Sequence, residues 1–179
     1  MFFNIFKRLP TKRTSLAKDK RGVAAIEFAL VVPVIVILML GSIDAVFALT
    51  AKRKVSLATH SMADIVAREQ DVTNALEAIA DLGKVIMTPN DVTLAEITLS
   101  GAVVNSGGTT ATVEWSEAFG PNPSALPISS TINLPVALTP GVFLVVATTR
   151  LPFETLTTAQ FNLEETAYFQ SRSGEPIDG

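Results

Sequence analysis

Residues 21–49 read RGVAAIEFALVVPVIVILMLGSIDAVFAL, and the fold follows from how this stretch is placed. The sixteen residues from Phe28 to Ile43 carry no charge, and the run from Val23 to Leu49 contains only two acids, Glu27 and Asp44. An α-helix rises ~1.5 Å per residue, so about twenty residues cross a hydrocarbon layer of ~30 Å. The stretch is long enough for one membrane-spanning helix. It exceeds the roughly 7–15-residue apolar core of a signal peptide, and no small-residue cleavage site follows it. A single-pass anchor near the N-terminus is the expectation, with the span at 23–49.

Charge gives the anchor a direction. Seven of the fourteen Lys and Arg residues lie in the first twenty-one positions, opposed only by Asp19, so this leader carries +6. Three more, Lys52, Arg53 and Lys54, follow the span. The larger cluster stays on the cytoplasmic side, which predicts a single-pass inner-membrane protein with a cytoplasmic N-terminus and a periplasmic or extracellular C-terminal domain. Beyond Lys54 there are four basic residues and fourteen acids, a net charge of −10. So acidic a body does not suit nucleic acid, which is excluded as a partner. The chain has no cysteine, so core burial alone must stabilise the external domain.

Outward from the span the periodicity changes twice. Val55, Ala58, Met62, Ile65 and Val66 recur every three or four residues and extend the helix as a stalk. A second helix is predicted over Val72–Met87, capped by Asp71 or Thr73 and stopped by Pro89, with Ala75, Leu76, Ile79, Leu82 and Ile86 inward. From Asp91 the period becomes two. Strands are expected at Val92–Ser100 (broken by Gly101), Thr109–Phe119, Ser130–Leu134, Val142–Phe153 and Leu163–Arg172. The turn Asn105-Ser-Gly-Gly108 joins the first two, and Ala111, Val113 and Trp115 should share one face. Phe143–Ala147 is apolar on both faces and suits an interior strand.

The fold class is therefore α+β: an N-terminal transmembrane helix extended as a stalk, then a helix packed on an antiparallel sheet. The segments are a basic cytoplasmic leader at 1–22, the span at 23–49, stalk and second helix at 50–89, a β domain at 90–172 and a loose tail at 173–179.

The junction of leader and span carries a more specific pattern. A basic leader, Gly22, four residues, then Glu27-Phe28 and an apolar helix resembles the type IV prepilin signal. In that family a membrane-embedded prepilin peptidase cuts after the glycine, which here would leave Val23 as the new N-terminus. The glutamate at the fifth mature position, here Glu27, is associated there with pairing to a neighbouring subunit's free amine. The wider pattern AAIEFALVVPVIVILMLGSIDA, with Pro33 after Glu-Phe-Ala-Leu, is similar to TadE/TadG-like proteins, minor pilin or pseudopilin components of tight-adherence (Flp, type IVc) pili.

The resemblance implies processing at Gly22 and Val23, and subunit contacts through Glu27, Phe28 and Pro33. The implied partners are the membrane, other pilus subunits with their assembly platform, and the prepilin peptidase. Major Flp pilins are very short, whereas this chain has a domain, which favours an accessory subunit. The alternative is a single-span anchored extracytoplasmic binding domain unrelated to pili.

The residues point away from enzyme chemistry. His60 is the only histidine, and although Asp64 follows it by one helical turn, no nucleophile motif accompanies the pair. One histidine without cysteine cannot assemble a nitrogen–sulfur metal site, and the acids lack calcium-loop spacing. No catalytic residue, cofactor or metal is expected, and Asp44 is expected to reach for the membrane surface.

Overall fold

The structure, a computed structural model, describes residues 21–156 and 160–179. The basic leader read from the sequence lies outside these residues, apart from Arg21 and Gly22. The chain divides into two units, Met1–Ser42 and Ile43–Gly179.

The first unit holds the start of α1 (Arg21–Val66), a helix of 46 residues with Pro33 inside it. Nearly every residue from Gly22 to Ser42 is exposed, with Phe28 and Leu30 at 71% and Ile26 at 69%. Among the described residues these side chains are left uncovered.

The second unit begins where α1 acquires a buried face. Val55, Ala58, Met62 and Val66 of the predicted stripe are sealed together with Ala51 and Ala63, while Ile65 is only partly buried. The helix α2 (Leu76–Met87) packs beside it through Leu76, Ile79, Ala80, Gly83 and Met87. Gly83 makes the approach close, since a Cβ there would strike the thioether of Met62. Leu82, expected inward, is 43% exposed, because the small residues Ala80 and Gly83 set the contact face instead. The helix also starts later than expected, with Ala75 at its N-cap and no side-chain cap. Asp71 accepts the amide and hydroxyl of Thr73 at 2.9 and 2.7 Å, so its carboxylate closes a local turn rather than capping the helix.

Five antiparallel strands form one sheet in the order β3-β2-β1-β4-β5: β1 (Glu96–Val104), β2 (Thr110–Phe119), β3 (Thr131–Asn133), β4 (Phe143–Glu154) and β5 (Gln160–Gln170). The predicted β1–β2 hairpin is present, and Phe143–Ala147 lies in an interior strand. Val92–Leu94 is not strand: Asp91 accepts the Thr93 amide and hydroxyl in a second local turn. Strand β1 also runs through Gly101 instead of breaking there.

The reason Gly101 is tolerated lies opposite. Gly101 pairs with Trp115 and Ala102 with Val113, so Glu114 is an extra residue, a β-bulge. The bulge turns Trp115 onto the helix side, into the core with Ile97, Leu99, Phe143 and Val145. Ala111 and Val113 are buried outside that cluster, on the other side of the sheet. The three residues therefore do not share a face, because one inserted residue shifts a period of two by half a cycle.

The tail is held, not loose. Trp115 Nε1 donates to Ile177 O at 2.7 Å, and Ile177 is 2% exposed. Asp178 bridges to the residue 70–72 strip: its amide donates to Gln70 O, and its carbonyl accepts from the Val72 amide at 2.8 Å. Arg172 adds an ion pair to Asp64 at 3.0 Å.

One buried group in this core has no partner among the described residues. The Thr149 hydroxyl is sealed on β4, and a lost hydrogen bond in a core costs about 1–3 kcal/mol. Thr149→Val keeps the shape and removes the hydroxyl. It is expected to stabilise the Ile43–Gly179 unit by about 1 kcal/mol, read as a higher urea midpoint with unchanged slope.

Candidate membrane and subunit-packing helix

The five site residues predicted from sequence all lie on the exposed first half of α1. Gly22 sits in the first helical turn, where an added Cβ would meet nothing within 4 Å. Its φ is not positive, so neither crowding nor backbone conformation demands glycine there. Glycine costs a helix roughly 0.5–1 kcal/mol relative to alanine. The fold thus supplies no reason for Gly22.

Val23 and Glu27 are four residues apart, which puts them on one helical face about 6 Å apart along the axis. Val23 is 51% exposed, and Glu27 is exposed as well. Phe28 projects from an adjacent face. Pro33 has no amide hydrogen, so the Ala29 carbonyl lacks its helical donor, a defect that membrane helices tolerate where a neighbour compensates. An exposed carboxylate, an exposed aromatic and a freed carbonyl on an apolar helix are features that a second helix can use.

Asp44 departs from expectation. It does not simply reach for the membrane surface: it is 8% exposed and accepts the Leu156 amide at 2.8 Å, beside Phe47 on α1. An acid inside an apolar run was a visible signal, but its partner lies 112 residues away and no local pattern marks it.

The second basic cluster is also occupied in the fold. Lys52 Nζ pairs with Glu165 Oε2 at 2.5 Å and donates to the Glu164 carbonyl, and Lys54 Nζ donates to the Thr88 carbonyl. The Lys52 ammonium holds the Glu165 carboxyl below its usual range. Two of the three cations therefore fasten α1 to β5 and to the end of α2.

His60 and Asp64 are not brought together as a catalytic pair. The His60 Nδ1–H donates to Ser56 O at 2.8 Å, and its ring meets Phe169 edge-on at 6.1 Å. Asp64 takes Arg68 and Arg172 instead, and the Arg68 hydrogen bond, with help from Arg172, keeps its carboxyl below the ordinary value. Among the described residues no group of three His, Cys, Asp or Glu side chains is placed to hold a metal.

By length and composition α1 can cross a membrane, and its apolar window is wholly unburied. The family model described as TadE-like protein matches residues 22–64. That segment opens at Gly22 and ends at Asp64, so it takes in Glu27, Phe28, Pro33, Asp44 and most of the face buried in the second unit. No curated protein and no solved structure matches the chain.

Proposed function

We propose that this chain, whose residues 22–64 match the TadE-like family model, is a pilus-assembly protein that serves as a minor pilin or pseudopilin of a tight-adherence pilus. It works by helix packing and by display of its C-terminal domain, not by catalysis. The observation that carries the proposal is the coincidence of the TadE-like match with an apolar helix whose first half is exposed among the described residues. In this reading the leader stays in the cytoplasm, α1 spans the inner membrane, and the Ile43–Gly179 unit lies outside. Adhesion, where it occurs, belongs to the assembled fibre rather than to a pocket in this domain.

Processing follows from the same reading. A prepilin peptidase cuts after Gly22, which strips the +6 leader and frees the amine of Val23. Glycine at 22 is explained by the need of the protease for close backbone approach, since the fold itself gives none. In cells that possess the peptidase, N-terminal sequencing of membrane-purified protein is expected to begin at Val23. Gly22→Leu is expected to leave more than nine-tenths of the protein uncut, by intact mass. A wild-type protein that still begins at Met1 would refute processing and leave anchoring intact.

A further inference from the structure

We propose that the Ile43–Gly179 unit touches the bilayer a second time, through Leu156 at the end of the β4–β5 ladder, together with Phe47 of α1. The inference rests on the reading of α1 as a membrane span. If the hydrocarbon layer begins at Val23, about twenty residues carry the helix through it to Ser42. The headgroup zone adds ~5–7 Å on that side, or roughly three to five residues, reaching as far as Phe47. Asp44 therefore lies in this zone, and the Leu156 amide is held to its carboxylate at 2.8 Å.

Two large apolar side chains beside that tie are open, Leu156 at 64% and Phe47 at 54% exposed. Phe47, Phe153 and Leu156 line one cleft of about 480 Å³ with Asp44, and Lys54 and Glu154 line the same cleft. Phe153 is braced by the ring of Phe161 at 5.3 Å, and Phe161 is itself 40% exposed. Single exposed leucines are common on protein surfaces. A cluster that continues directly from an apolar span, fixed there by a buried carboxylate, is suited to lipid. The occupant is the bilayer itself. Lys52 and Lys54 are engaged by Glu165 and the Thr88 carbonyl, and the chain beyond Lys54 carries −10, so the contact through Leu156 and Phe47 is apolar.

Because the chain has no cysteine, one introduced thiol labels one site. Full-length protein in phosphatidylcholine–phosphatidylglycerol vesicles would carry an environment-sensitive dye at Leu156→Cys, Leu38→Cys or Ser106→Cys. Ser106 lies in the β1–β2 turn, at the opposite end of β4 from Leu156, about 36 Å along the strand. Lipids with a quencher high on the acyl chain should dim the Leu156 probe at least twofold, equally at low and high salt. Mid-chain quenchers should dim the Leu38 probe, and the Ser106 probe should be unaffected.

Quenching at Leu38 without quenching at Leu156 would overturn the second contact while sparing the span. A blue-shifted Leu156 probe that no lipid quencher reaches would assign the site to protein and also overturn it. No quenching at Leu38 would remove the span and the inference with it.

Discussion

Gly101→Val is expected to destabilise the Ile43–Gly179 unit by about 3 kcal/mol or more, at the upper end of what overpacking costs. Gly101 lies in the middle strand of the five, facing the core. A Cβ there would come within 2.5 Å of Phe143 Cζ and 2.6 Å of Trp115 Cε2, and would strike the indole nitrogen. Neither ring can yield cheaply. Phe143 is 2% exposed, and Trp115 cannot swing without releasing Ile177 and with it the tail. A domain of this size has only about 5–15 kcal/mol in hand. Urea unfolding followed by circular dichroism should show the midpoint collapse. Gly107→Ala, in the exposed turn with its nearest neighbour at 3.9 Å, should move the midpoint little. A Gly101→Val protein as stable as wild type would mean that the Trp115 pocket is not built as described.

Glu27→Gln is expected to leave the protein in the membrane and remove it from subunit contacts. A carboxylate in or near the hydrocarbon layer is costly when alone, and is relieved by an ammonium from a neighbouring chain. Glutamine removes the charge, so membrane insertion is as good or better. In the proposed assembly, what would be lost is the attraction to the amine of Val23 on the next subunit. Breaking a buried pair costs about 3–5 kcal/mol, and since 1.4 kcal/mol is tenfold, a decrease in association of at least tenfold is expected. Cross-linking between helices reads this directly. Unimpaired cross-linking by Glu27→Gln would place the packing energy elsewhere on the helix.

Much of this was legible in the chain because it was written in strong local signals. The uncharged run from Phe28 to Ile43, the stripe from Val55 to Val66 and the turn at Asn105–Gly108 each specify structure through their own spacing. The α+β class and the hairpin follow from them. What escaped the sequence was non-local. The bulge at Glu114 sends Trp115 to the face opposite Val113, and a bulge has no signature in an alternating run. The tail at Ile177 and Asp178 is ordered by the Trp115 indole and by Gln70 and Val72, partners a hundred residues upstream in the case of the strip. Asp44 looked like a surface-seeking acid, yet it holds the Leu156 amide. For Gly22 and Glu27 only the sequence pattern speaks, since among the described residues both are exposed and a Cβ at Gly22 would meet nothing.

The two lysines after the span show how the same residues can serve two readings. As charges they belong to the smaller of the two basic clusters that flank the span. In the fold, Lys52 and Lys54 are held by β5 and by Thr88, so their first duty is to fix α1 to the domain.

The most direct test of whether this TadE-like helix packs against other pilus subunits is photo-cross-linking from position 28. A photoreactive phenylalanine at Phe28, in the full chain and in membranes that contain the pilus machinery, samples whatever touches this face. The account predicts adducts with the apolar helix of another pilus subunit, reduced at least tenfold when Glu27→Gln is added. Adducts with lipid alone, in membranes where the machinery is assembled, would contradict it.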